Sequence, residues 1–159
     1  MTVDGQTPGV RELNTFPAFT EMSAQQFQAH LDERSVNTHD AASVAQWFAV
    51  DGVQRLMASG EAATGRRQIE ERMANLFRGF PDFHLRVHDL LSTADRMCVE
   101  CTATGTHEGE FAGLPASGRR VEIEWCLVFR FDADGLVVEE NLYGDAATML
   151  RQLGVLPGS

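Results

Sequence analysis

Asp145 stands where an apolar run ending in Leu142 and Tyr143 meets Gly144 and then the helix-like segment AATMLRQL. A carboxylate at that junction has two available roles. Just before the first helical turn it accepts hydrogen bonds from backbone N–H groups that lack partners. As a base of ordinary pKa it can take a proton from carbon already acidified by flanking carbonyls. Asn141, Tyr143 and Asp145 share one strand parity and therefore one face. If that face is concave, an amide, a phenol and a carboxylate converge on a pocket, and Tyr143 is the only Tyr in the chain. A helix N-terminus lowers a carboxyl pKa and apolar burial raises it, so the residue types leave both roles open.

His107 precedes EGEFAGLP at the end of a strand. It is either a group that polarises a carbonyl at a pocket mouth or an exposed loop residue. His84 and His88 have HxxxH spacing, which suits a metal only on a helix. Here the pattern is that of a strand, which puts their Cα atoms ~13 Å apart at ~3.3 Å per residue. Cys98 and Cys101 form a CxxC, but on a strand residues three apart face opposite sides, so the thiols diverge. No metal site is expected. Glu122 and Glu124 share a face opposite the apolar one, solvated or turned toward a second subunit.

These residues need elements to hold them. Residues 1–22 read as a loosely ordered arm, and 23–159 as a single domain. SAQQFQAHLDERSV opens with Ser23 and Gln26 in capping-box spacing and continues as a helix. DAASVAQWFAV reads as a second helix capped by Asp40, GEAATG as a loop, and RRQIEERMANLFRGF as a third helix ended by Gly79 and Pro81. The period then changes to two. DFHLRVHDLL, RMCVECTATGTH, RRVEIEWCLVFRF and LVVEENLY are strands, with DADG as a hairpin turn and DAATMLRQLG as a closing helix. Helices first and an antiparallel meander after them indicate an α+β fold.

The chain of 159 residues carries a formal charge of −10, which opposes nucleic acid and anionic lipid as partners. All of its 13 basic residues are Arg. Without Lys, neither Schiff-base chemistry nor a Walker A loop is available. No apolar run approaches the ~18 residues that span a bilayer. The N-terminal residues lack a basic patch followed by an apolar core, so a cytoplasmic location is expected.

TGRRQIEERMANLFRGFPDF, TATGTHEGEFAGLPASGRRVEI and VFRFDADGLVVEENLYGDAATMLRQLG resemble the SnoaL-like polyketide cyclase family, within the nuclear-transport-factor-2-like superfamily. The likeness covers roughly residues 37–156 and is closest from Gly65 onward. It implies a cone: a curved antiparallel sheet wrapped around N-terminal helices, with a short C-terminal helix and an apolar pocket. It also implies a homo-oligomer such as a dimer, a small apolar or aromatic carbonyl ligand, and no cofactor. In the cyclases an Asp on the last strand is the acid/base for an intramolecular aldol closure, and Asp145 matches that position. Asn141 stands where many relatives have Trp, and no His follows His107. Arg55, Leu56 and Met57 occupy the place of the base in related ketosteroid isomerases, which opposes isomerase chemistry. Arg55 is the charge near the expected pocket floor, as an anchor for an acidic group or as a surface residue. Trp47, Phe48, Phe111 and Trp125 are core residues or the lining of a pocket for a flat ligand, with Phe111 on its rim. An aldol cyclase, an epoxide hydrolase or dehydratase of the same fold, and a non-catalytic binder are the three functions this reading supports.

Overall fold

The computed structural model describes residues 17–158. Helix α1 (Ala24–Arg34) starts with the expected capping box: Gln26 N donates to Ser23 Oγ and Ser23 N to Gln26 Oε1. Helix α2 (Ala41–Ala45) is capped by Asp40, and α3 (Gly65–Gly79) carries Ile69, Met73 and Phe77 on its buried stripe. Strands β1 (Phe48–Leu56), β2 (Ala62–Thr64), β3 (His84–Ser92), β4 (Arg96–Thr106), β5 (Arg120–Phe131) and β6 (Val137–Gly144) form one sheet in the order β2-β1-β6-β5-β4-β3. Helix α4 (Ala146–Gln152) follows β6. The sheet is curved and unclosed, and α1 and α3 fill its hollow. The core joins Phe27 and Leu31 of α1 and the α3 stripe to Val99, Cys101, Ile123, Leu127 and Phe129. Fully burying each such large side chain contributes roughly 1.5–3 kcal/mol.

Two features depart from the sequence reading. The segment read as one helix through Val50 stops at Ala45, and Phe48–Leu56 is a strand. Its alternation is hidden because the pairing with β6 shifts register between Phe48 and Val53. A bulge of this kind breaks the period of two that betrays a strand. Gly52 sits in the irregularity, where a Cβ would lie 2.7 Å from the Val137 carbonyl oxygen. The sheet is also mixed rather than wholly antiparallel, because β1 lies parallel to β6. The supposed loop before α3 supplies β2, the edge partner of β1.

The other edge, β3, is partly satisfied by α1 and the turn after it. Val87 N donates to Gln28 Oε1 at 2.7 Å and Leu85 N to Asn37 Oδ1 at 2.8 Å. Covering an edge this way removes a template for unwanted pairing. The CxxC diverges as strand geometry requires. Cys101 is buried on the concave side, while Cys98 lies 3.3 Å from Cys126, sulfur to sulfur, on the other face. Burial pushes the Cys101 thiol up to about 12. Among the described residues no three His, Cys, Asp or Glu side chains gather in a metal-binding arrangement.

Candidate active site

The hollow of the sheet holds a cavity of about 270 Å³. Its wall is mostly apolar: Leu31, Phe83, Trp125 and Leu142 are among its residues, with Phe111, Ala112, Ser59 and Ala146 also in contact with it. Trp125 lies against Gly144, where a Cβ would come within 2.7 Å of the indole. Only glycine admits that approach.

The polar side chains of the wall are Ser59, Glu61 and Asp145 and a cluster around Glu140. Glu140 is 5% exposed, and its Oε2 accepts a 2.9 Å hydrogen bond from Gln54 Nε2. Gln54 is the neighbour of Glu140 across the parallel β1–β6 pair. The backbone carbonyl of Gln54 accepts a 2.8 Å bond from Arg72 Nη1 of α3. One residue of β1 therefore holds both a carboxyl and a guanidinium at the cavity. Burial pushes the Glu140 carboxyl up to about 7, against the opposing effects of the Gln54 hydrogen bond and the Arg72 charge. A carboxyl in that range is populated in both protonation states at neutral pH, the condition under which proton transfer is most effective.

The sequence reading passed over Glu140, and β6 shows why. Asn141 and Tyr143 do share a face, but it is the outer one. The β5–β6 register is irregular between the Phe131–Val137 and Arg130–Glu139 pairs. The extra residue moves the inward positions from Val137 to Glu140, Leu142 and Gly144. A shift of one residue exchanges the two faces of a strand. A signal was nevertheless present. Where a strand with one buried face alternates regularly, neighbours point to opposite sides, so outside a bulge the pair Glu139-Glu140 offers one carboxylate to the interior on either parity.

Several expectations are corrected by this geometry. Tyr143 is 45% exposed, and Asn141 bonds to Glu139 and Arg55 outside the cavity. Arg55 is not at the pocket floor; it joins that outer network, 3.9 Å from Glu139. Phe48 is wholly buried in the core and does not line the cavity, whereas Trp47, Phe111 and Trp125 do. His107 is neither an exposed loop residue nor a cavity residue. It is 1% exposed, stacked on Phe80 at 5.3 Å, with Nδ1 3.0 Å from Ser117 Oγ. Its loop is pinned to the end of α3, where Glu108 N and Gly109 N both donate to the Gly79 carbonyl. A Cβ at Gly109 would collide with the Arg78 carbonyl oxygen. The GTHEGEF stretch thus fixes the loop that brings Phe111 and Ala112 to the cavity.

Asp145 borders the cavity but turns its carboxylate to the helix. Oδ1 accepts from Thr148 N at 3.1 Å and Oδ2 from Thr148 Oγ1 at 2.6 Å. Those bonds, the side-chain one first, hold its carboxyl below the usual range. Its side chain is 61% exposed. Asp145→Asn is expected to leave thermal stability nearly unchanged. Asp145→Ala should lower the melting temperature by roughly 3 °C through the lost cap, measured by calorimetry.

Comparison with known proteins fits this architecture. The model of the SnoaL-like polyketide cyclase family matches residues 24–153. The chain belongs to the SnoaL-like polyketide cyclase family. Among solved structures, IdmH of Streptomyces antibioticus, described as a candidate polyketide cyclase, is 31% identical. That match covers 84% of this chain and all of IdmH, with a TM-score of 0.65. AclR of Streptomyces galilaeus, described as a candidate hydroxylase, is 27% identical over 83% of this chain and 87% of its own, with a TM-score of 0.67. A candidate SnoaL-like cyclase from Jannaschia sp. CCS1 shares the fold at 22% identity and a TM-score of 0.70, covering 90% of this chain and 99% of that one. No curated protein matches the chain. No helix among the described residues is long and apolar enough to cross a membrane.

Proposed function

We propose that this SnoaL-like protein is an acid/base enzyme that closes a ring in a small apolar polycarbonyl compound by intramolecular aldol addition, with Glu140 as the base. The reading rests on one observation above all: a buried carboxyl, shifted to about 7, facing an apolar cavity. Glu140 carboxylate takes a proton from a carbon between two carbonyls. The electron pair of that C–H bond becomes an enolate, whose carbon attacks a distant carbonyl of the same molecule. A C–C bond forms, the C=O π pair moves onto oxygen, and the proton held by Glu140 passes to that alkoxide. The proton balance is zero and no external co-reactant is consumed. The wall of aromatic and aliphatic side chains excludes water from the enolate and folds the chain for attack, which favours the intramolecular step. Gln54 keeps the carboxyl oriented through its amide.

Proton abstraction can be tested before the natural substrate is known. In D₂O, wild-type protein is expected to accelerate deuterium uptake at C2 of 1-phenylbutane-1,3-dione, followed by NMR, above an equal concentration of Glu140→Gln. Equal rates for the two proteins would remove the proposed base.

A further inference from the structure

We infer that Arg72 is the anion-holding group of this cavity, and that its ligand is an apolar compound whose 1,3-dicarbonyl unit is bound as the enolate, one oxygen on the Arg72 guanidinium. This deepens the proposed aldol chemistry and rests on it for the choice of enolate.

Arg72 is a cation with no ion pair in contact among the described residues. Arg72 lines the cavity from α3 and is half-buried. Its only hydrogen bond among the described residues goes to the neutral Gln54 carbonyl. No carboxylate of the described residues lies within the 4.0 Å expected of an ion pair with it. Glu61 and Glu140 act on it only at longer range. A guanidinium carries five N–H donors in a rigid fork, so one occupied donor leaves most of the fork free. Arg72 is half-buried and no carboxylate of the described residues touches it, so an anion entering the cavity would gain a close charge-assisted contact that Glu61 and Glu140 supply only from a distance.

The second observation is the placement of the carboxyl. Oε2 of Glu140 is engaged by Gln54, and Oε1 has no hydrogen bond among the described residues. Gln54 Oε1 is buried and also without a partner. Base, cation and a spare acceptor therefore stand together in the wall of a mostly apolar cavity that Glu61 also borders. When Glu140 takes the C–H proton, its own negative charge disappears and an equal charge appears on the ligand oxygen. The charge of the cavity is unchanged, and Arg72 faces an anion before and after the step. Such fixed donors aimed at developing charge are the most effective kind of electrostatic stabilisation. Glu61 and Asp145 also border the cavity, Glu61 acting on Arg72, and the Cys101 thiol, which the Glu140 charge helps to push up, stays neutral.

The test uses binding, read by the fluorescence of Trp47 and Trp125, both in the cavity wall. At pH 6 the carbon acid 2-phenylindane-1,3-dione is an enolate, while its 2-methyl derivative cannot ionise and is neutral. Wild-type protein is expected to bind the enolate at least tenfold more tightly than the methyl derivative. Arg72→Met should abolish that preference while keeping the affinity for the neutral compound, which also shows that the variant is folded. Arg72→Lys should retain part of the preference. A wild-type preference near one, or one that survives in Arg72→Met, overturns the inference. Tighter, Arg72-dependent binding of 2-naphthoate than of the enolate would also overturn it, by making the site a carboxylate anchor. The readout is independent of turnover. Loss of deuterium exchange in Glu140→Gln alongside an Arg72-independent affinity would sink this inference and leave the proposed base intact.

Discussion

Glu140→Gln is expected to lower turnover by ~10²-fold or more while leaving the fold and ligand affinity in place. The substitution keeps the size of the side chain, and the new amide oxygen can still accept the bond that Gln54 Nε2 now donates to Oε2. What it removes is a group able to exchange a proton at neutral pH. The pH dependence gives a second signature. The reaction needs Glu140 ionised in the free enzyme, so kcat/KM should rise with pH and level off above about 7, the value to which burial pushes this carboxyl. The acid limb should be absent from whatever activity remains in Glu140→Gln. Asp145→Asn, measured beside it, should keep both turnover and the acid limb, because its carboxylate is turned to Thr148. Wild-type turnover in Glu140→Gln, or a loss confined to Asp145→Asn, would transfer the chemistry to the strand–helix junction.

The same carboxyl should cost stability at alkaline pH. Its folded pKa is about 7 against an ordinary value of 4.5. Between these values the folded chain holds a proton that the unfolded chain has released, so stability is greatest below the unfolded value and falls as pH rises through the folded one. The difference amounts to about 3 kcal/mol once pH exceeds the folded pKa. Glu140→Gln carries no such titration. Urea unfolding should find the variant more stable than wild type at pH 8.5 and nearly equal to it at pH 4.5. Asp40 and Asp82, whose carboxyls are held below the usual range, lose stability on the acid side in both proteins and cancel in the comparison. A stability difference that does not change with pH would show that Glu140 titrates normally. The two expectations are linked: the burial that makes Glu140 a useful base is what makes its ionised form costly to the fold.

Several parts of this protein follow from sequence because they depend on neighbours in the chain. Ser23 and Gln26 cap α1, Asp40 caps α2 and Asp145 caps α4 through atoms three residues away. The stripe Ile69, Met73 and Phe77 needs only the helical period, and the strand from Arg120 to Phe131 only the period of two. The pattern of these elements sufficed for an α+β fold, and the quoted motifs sufficed for the family. Tertiary structure decided what the periods could not express. Strand β1 exists because β2 and β6 flank it, and its bulge erased the alternation that would have announced it. The irregularity near the start of β6 chose which parity faces inward, turning Tyr143 and Asn141 out and Glu140 in. Arg72 and Gln54 are 18 residues apart and meet only because α3 packs across β1. Local patterns set each element and its two faces. Which face is buried, and which carboxyl meets which cation there, depends on register between distant strands, and a single inserted residue reverses it.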